Sequence, residues 1–470
     1  MELTAREIAE ITGGVAVAGD AFARARSWSN DSRALTPGAC FVALVDARDG
    51  HDFIGDAFAR EASIALVTRD VTDHPPAGAA IVKVDDAFSA LAALGAAARE
   101  RLTGSLVVGI TGSSGKTGTK DLTAAALARR FHVHASPGSF NNEIGLPFTL
   151  LGAPNATDAV VLEMGARFPG NIADLCAIAR PDVGVITNIG LSHAGLLGGP
   201  DGIARVKGEL LVALPADGLA VLHVGDAATP GLAARATARV LTVGVAGQFV
   251  ADVSPEVVAS RVELDTELRP SFVLQSPWGS GTVRLDVRGA HQVVNASLAA
   301  AVALARGVPF DDVVTGLGAV VAGPGRMDVQ RMPSGALLID DAYNANPASM
   351  AAALRALEYV GAAGRTIAVV GDMLELGDVT EVEHARVGEL AAEVEVDVLI
   401  AVGDAMTAAA RAARDAHPAV PLVLEVPDAA SALDVVRSLG VRADDVVLVK
   451  GSHAVGLELV VTAVARSVQS

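Results

Sequence analysis

Residues 107–122, VVGITGSSGKTGTKDL, run from an apolar stretch through a glycine- and serine-rich loop into a helix-like tail. That is the order a phosphate cradle requires. Gly112 and Gly115 let successive backbone N–H groups turn toward phosphate oxygens, Lys116 can reach the terminal phosphates, and the Thr117 hydroxyl can bind Mg2+. The helix beginning near Thr117 aims its positive end at the same point. A strict P-loop pattern has a further glycine where Ile110 stands. The bland alternative is a Gly-Ser turn beside a surface lysine, but the flanking strand and helix are the context that phosphate binding demands.

Other strand ends carry chemistry as well. Glu163 closes the apolar run AVVLE, and Asn188 and His193 follow the run VGVIT. In an open parallel sheet, ligands sit beyond the carboxyl ends of the strands. Glu163 and Thr117 could therefore share one Mg2+ with the β- and γ-phosphates, while His193 could hold a second. His291 and Asn295 stand four residues apart at a helix start, where they could meet a nucleobase edge. LLIDDAYNANPASM ends a strand with two aspartates, then Tyr343, Asn344 and Asn346. An Asn-Pro turn with an N-capped helix is the structural alternative there. Lys207, in RVKGELL, reads from its own residues as a solvated lysine on a helix face.

These residues need a scaffold of alternating elements. Short apolar runs alternate with helical stretches from residue 106 to 224, the signature of parallel βαβ units. Residues 271–287 read as a hairpin, and a proline–glycine break near 322–328 precedes a second alternating series. The expected class is α/β with three domains. They are a small mixed α/β unit over residues 1–84, a central P-loop-type unit with a mostly parallel sheet over 85–325, and a Rossmann-like unit over 326–470. TARE, at 4–7, has capping-box spacing for a first helix.

With 51% hydrophobic residues among 470, the chain can bury several cores, and with 3% aromatics those cores must be aliphatic. A formal net charge of −18 argues against a nucleic-acid partner, whose footprint would be basic. No apolar run reaches the ~18 residues that span a bilayer, and the acidic start carries no secretion signal. Cys40 and Cys176 are too few for a disulfide framework and read as packing residues in a reducing cytoplasm.

Taken together, the motifs resemble the Mur ligases along almost the whole chain. The resemblance is carried by SNDSRALTPGACFVAL, TGSSGKT, FNNEIG, LEMGA, the His193 loop, KGEL, GAHQVVNA, GPGRMD, DDAYNANPASM, VVGDMLELG and LVKGSHA, all in order. The family's own loop begins TGxxGKT, which accounts for Ile110. The resemblance implies an ATP- and Mg2+-dependent ligase that forms an amide through an acyl phosphate. Within the family it points to joining D-alanyl-D-alanine to UDP-N-acetylmuramoyl-tripeptide, in the cytoplasm and as a monomer, for peptidoglycan synthesis. Lysine and diaminopimelate stay open as the third residue of that peptide.

Residue by residue, the resemblance assigns ATP to Thr111, Gly112, Ser113, Ser114, Gly115, Lys116 and Thr117, with Asn295, Arg326 and Asp341. It assigns the uridine-nucleotide region to Asp31, Ser32 and Arg33. The muramoyl peptide falls to Asn141 and Asn142, and Tyr343, Asn344 and Asn346 face the cleft. Lys116, Glu163, His193 and Lys207 become catalytic, with Lys207 carbamylated as a Mg2+ ligand beside Thr117, Glu163 and His193. The chain departs from the family at GAHQ, where GRHN is usual, and at SHAGLLG, which lacks the acidic residue of AHLExFG. His453 stands in place of an arginine. The competing readings are a Mur-type ligase adding a single amino acid, and a plain P-loop kinase or ATPase.

Overall fold

The computed structural model describes residues 1–191, 194–250, 253–361 and 363–466. His193 lies outside the described residues. The architecture is α/β with mostly parallel sheets, as the alternation of runs requires. Among the described residues a five-stranded sheet runs in the order Val15–Gly19, Ala80–Lys83, Ile64–Val67, Ala39–Val42, Ser27–Ser29, parallel except at its first strand. Its leading helix, Ala5–Thr12, opens with the expected capping box: Thr4 N–H donates to Glu7 Oε2 at 2.8 Å and Glu7 N–H returns to Thr4 Oγ1 at 3.1 Å.

The nine-stranded central sheet places Leu106–Thr111 between Val183–Ile186 and Ala159–Glu163, with Val133–Ala135 at one edge. Leu219–His223 and Arg239–Val245 extend the parallel part on the other side. The hairpin Pro270–Ser276/Gly279–Arg284 completes that side as antiparallel strands, with Ser276 opposite Gly279 across the turn. A six-stranded third sheet pairs Leu337–Asp341, Val446–Lys450, Thr366–Gly371, Val398–Val402 and Leu422–Val426 in parallel, with Asp328–Arg331 antiparallel at its edge.

The period-two alternation of the central strands feeds two cores. Val107, Val160 and Leu162 face a cluster that also takes Leu91 and Leu94 of the helix Ala87–Arg101, and Ile64, Leu66 and Val82 of the first sheet. Val108, Ile110 and Val161 face the opposite way, toward Leu122 of the helix Lys116–Leu127 and the alanine-rich helix Gln292–Ala305. The small side chains Ala299, Ala300 and Ala301 are fully buried and let that helix lie close to the sheet and to Lys116–Leu127. This is how Asn295 reaches the loop that precedes Lys116. Cys40 and Cys176 are buried and free, as packing residues should be. No helix among the described residues is long and apolar enough to cross a membrane.

Candidate active site

The loop Gly112–Gly115 is moulded by its neighbours. Gly112 has φ +151°, and a Cβ there would stand 1.9 Å from Thr187 Oγ1; Gly115 has φ +76°, and its Cβ would stand 2.6 Å from Asn295 Oδ1. Both positions therefore exclude any side chain. Asn188 clamps the loop from the next strand: its Oδ1 accepts from Ser114 N–H at 2.9 Å and its amide donates to Ser114 Oγ at 2.7 Å. Ser113 Oγ accepts from Gly190 N–H at 2.8 Å. Lys116 Nζ folds back to Gly112 O at 2.9 Å. Its position deep in the cavity lowers its pKa, partly offset by the Glu163 carboxylate.

Glu163 is buried at 1% exposure, and both its oxygens are engaged. Thr117 Oγ1 donates to Oε2 at 2.7 Å and Asn141 Nδ2 donates to Oε1 at 2.8 Å. These are hard oxygen donors at the end of a phosphate loop. Among the described residues no group of three or more His, Cys, Asp or Glu converges. Hard oxygens such as Thr117 Oγ1 and the Glu163 carboxylate are of the kind that suits Mg2+, which also keeps waters and takes phosphate oxygens.

Lys207 corrects the reading taken from its residues alone. It is 1% exposed rather than solvated. Burial, reinforced by the charge of Lys116 and opposed by Glu209 and Glu163, brings its pKa down to about 7. The helix Gly199–Lys207 ends there, so burial of the side chain was decided by tertiary packing and not by local pattern.

A second wall comes from the third sheet. Asp341 ends the strand Leu337–Asp341; its Oδ1 accepts from Met327 N–H at 3.0 Å and its Oδ2 from Lys450 Nζ at 2.7 Å. Lys450 also donates to Asn344 O at 2.9 Å. Arg326 lies over the Tyr343 ring at 4.1 Å, and Tyr343 OH shares a 2.6 Å hydrogen bond with Ser139 Oγ, 204 residues away in sequence. Lys120 holds the segment bearing Ser139 by donating to Ser136 O at 2.7 Å and Gly138 O at 3.0 Å.

The two walls enclose a cavity of about 770 Å³. It brings together Ser113, Ser114, Gly115, Lys116, Thr117, Asn141, Glu163, Asn295, Arg326, Asp341, Tyr343, Asn344 and Asn346. Thr111 and Gly112, where the strand passes into the loop, are buried and do not line the cavity. Lys207 is outside the lining too, though near enough to feel Lys116 and Glu163. Asn142 caps the helix Gly145–Gly152 through Gly145 N–H at 2.9 Å. Asn346 both lines the cavity and caps Pro347–Val360 through Ser349 N–H at 2.9 Å, so the helix-cap alternative holds as well.

Asp31, Ser32 and Arg33 form a turn of the first sheet's region and do not line this cavity. There the Arg33 side chain and backbone N–H hold the Asp31 carboxyl down to about 2. Asn188, singled out in the sequence as a strand-end residue, lines the cavity, and Lys450, Ser139 and Gln292 are lining residues that the sequence did not assign to the site. Lys450 ends the strand Val446–Lys450, but what draws it into the site is Asp341, which arrives from a distant segment. Gln292, whose Oε1 accepts from Asn295 Nδ2 at 2.9 Å, sat within the quoted GAHQ.

Comparison with known proteins bears on this geometry. The Mur ligase middle domain matches residues 110–303, and the Mur ligase glutamate ligase domain matches residues 325–453. The chain is 41% identical to the UDP-N-acetylmuramoyl-tripeptide--D-alanyl-D-alanine ligase of Mycobacterium tuberculosis (strain ATCC 25618 / H37Rv), covering 98% of each. It is 36% identical to the enzyme of that name from Bacillus subtilis (strain 168), covering 80% of this chain and 79% of the other. MurF from Acinetobacter baumannii superposes with a TM-score of 0.85 at 31% identity over 99% of each chain. MurF ligase from Thermotoga maritima, solved in complex with ADP, gives 0.76 at 28% identity, over 94% of this chain and 97% of that one.

Two outcomes follow from the site's geometry. Gly112→Ala should weaken binding of an ATP analogue at least roughly tenfold by calorimetry, because the loop cannot keep its path beside Thr187. A double-mutant cycle of Ser139→Ala and Tyr343→Phe, read in the melting free energy, should return a coupling of about 1 kcal/mol, as expected for one net hydrogen bond. Strict additivity would mean the two hydroxyls do not meet in solution.

Proposed function

The chain belongs to the Mur ligase family, and from that premise we propose that it joins D-alanyl-D-alanine to UDP-N-acetylmuramoyl-tripeptide at the cost of ATP. The observation that carries this reading is the two-walled cavity. A kinase or ATPase switch needs the phosphate loop alone, whereas here Asp341, Tyr343, Asn344 and Asn346 approach the same space from another sheet. A ligase must hold a nucleotide, an acid and an amine together, and two walls from two sheets provide for that.

In this reading the terminal carboxylate of the tripeptide attacks the γ-phosphorus of ATP, releasing ADP and leaving an acyl phosphate. The dipeptide's neutral amine then adds to the acyl carbon, and inorganic phosphate departs as the amide forms. The proton lost from nitrogen leaves with the products. A carboxylate is a poor electrophile, and phosphorylation supplies its leaving group.

This chain's groups meet the electrostatic demands of those steps. The backbone N–H groups of Gly115, Lys116 and Thr117, at the start of the helix Lys116–Leu127, receive the phosphates, while Asn188 takes those of Ser113 and Ser114 and holds the loop's path. Lys116 offsets charge between two anions that would otherwise repel. Thr117 and Glu163 would hold Mg2+, which supplies Lewis-acid neutralisation when bound. Asn295 and Gln292 present amide edges to the base, Asp341 the ribose, and Arg326 a phosphate. Asn141 orients Glu163 from the side where the muramoyl peptide would enter, and Asp31, Ser32 and Arg33 would take the uridine diphosphate.

Lys207 fits carbamylation by the chemistry of its surroundings. Carbon dioxide reacts with a neutral amine, and a buried amine with pKa near 7 is largely neutral just above that pH. The product is an anionic oxygen donor, which suits a metal site that an ammonium would disrupt. In this reading the protein would work in the cytoplasm as a monomer; the lining of the cavity is supplied by a single chain.

Purified protein supplied with ATP, Mg2+ and UDP-N-acetylmuramoyl-tripeptide should release phosphate with D-alanyl-D-alanine and not with single amino acids. Release with L-lysine or diaminopimelate on the shorter acceptor would move the assignment to another ligase of the family. Lys116→Ala should lower turnover by at least roughly a hundredfold while uridine-substrate binding stays within about twofold, in line with loss of one preorganised cation. Stimulation of the enzyme by bicarbonate should grow as pH rises through about 7, because the neutral Lys207 amine becomes available in that direction. Lys207→Arg should abolish the stimulation.

A further inference from the structure

Gly195 lies in the short helix Ala194–Leu197 beside the central sheet, and Gly377 begins the turn Gly377–Val379 beyond the third sheet's strand Thr366–Gly371. The two backbones touch. A Cβ on Gly195 would stand 2.7 Å from Gly377 Cα, and one on Gly377 would stand 2.5 Å from Gly195 Cα. Real Cβ atoms do not approach so closely. Gly377 has φ +61°, which favours glycine by itself. Gly195 has no left-handed backbone to account for it, and alanine is the better helix former. The contact is what calls for glycine there, and it falls where the chain lacks the family's acidic residue.

The third-sheet side of this seam is rigidly held. Met373 N–H donates to His384 Nε2 at 2.9 Å, the buried His384 ring donates from Nδ1 to Thr380 O at 2.7 Å, and Leu374 N–H donates to Ser452 Oγ at 3.1 Å. Val379 packs against both the core beneath the central sheet and the core of the third sheet. Arg167 and Glu375 form an ion pair at 4.0 Å across the same seam.

We propose that Gly195 and Gly377 are positioning residues, a backbone-to-backbone closure contact that sets the third sheet's wall at working distance from the phosphate loop. The catalytic part of this inference rests on the ligase reading above; the structural part rests on the seam alone. The substitution that isolates it is Gly195→Ala, which suits the helix and obstructs the contact.

The test compares wild type and Gly195→Ala by small-angle scattering in AMP-PNP and Mg2+, with melting temperature and steady-state kinetics on the same preparations. The variant should melt no lower than wild type, show a larger radius of gyration with nucleotide bound, and lose about tenfold in kcat while KM for ATP stays within about twofold. Val379→Ala should shift the radius and kcat in the same direction from the other side of the seam. Equal radii and equal kcat for Gly195→Ala and wild type would overturn the proposal. If wild type forms no amide with the dipeptide, the ligase reading fails on its own, and the radii still decide whether this contact closes the cleft.

Discussion

Bringing a polyphosphate and a carboxylate into van der Waals contact inside a chain of net charge −18 is an electrostatic problem before it is a chemical one. The structure meets it locally, at the carboxyl ends of Leu106–Thr111 and Ala159–Glu163, which pair in parallel and deliver loop and carboxylate to one point. The charge of Lys116 lowers the basicity of the buried Lys207, and the Glu163 carboxylate acts in the opposite direction on both lysines. Thr117 ties Glu163 to the helix that begins at Lys116. Removing Thr117 or Lys116 would leave the buried Glu163 carboxylate short of a partner, a costly change in a site of this kind.

The rest of the scaffold keeps that arrangement from relaxing. Asn188 and Asn295 press on the loop from two sides, and the alanine-rich helix behind Asn295 brings it within contact of Gly115. On the opposite wall Lys450 holds Asp341, and Arg326 stacks on Tyr343. The Ser139–Tyr343 hydrogen bond and the Gly195–Gly377 contact then join the walls at separate points. The reaction space is thus defined by a few short contacts between units that each have their own sheet and core.

Much of this could be read from the chain. The loop from Thr111 to Thr117 and the carboxylate Glu163 were legible because strand periodicity fixes where a strand stops, and parallel sheets gather such ends together. Thr4 and Glu7 were legible as a capping box because that geometry is local. Lys207 was not, since KGEL on a helix looks the same whether its face meets water or protein; only the resemblance singled it out. Lys450 was passed over because a lysine ending a strand carries no local mark of its partner, Asp341, which arrives from a distant segment. The glycine pair was invisible for the same reason: a helix glycine declares itself only when the opposing backbone is in place.

Acyl-phosphate formation is the central claim, and isotope transfer tests it most directly. UDP-N-acetylmuramoyl-tripeptide labelled with oxygen-18 in its terminal carboxyl should, on reaction with ATP and D-alanyl-D-alanine, pass one labelled oxygen into the released inorganic phosphate. Phosphate free of the label, with amide product formed, would contradict the account.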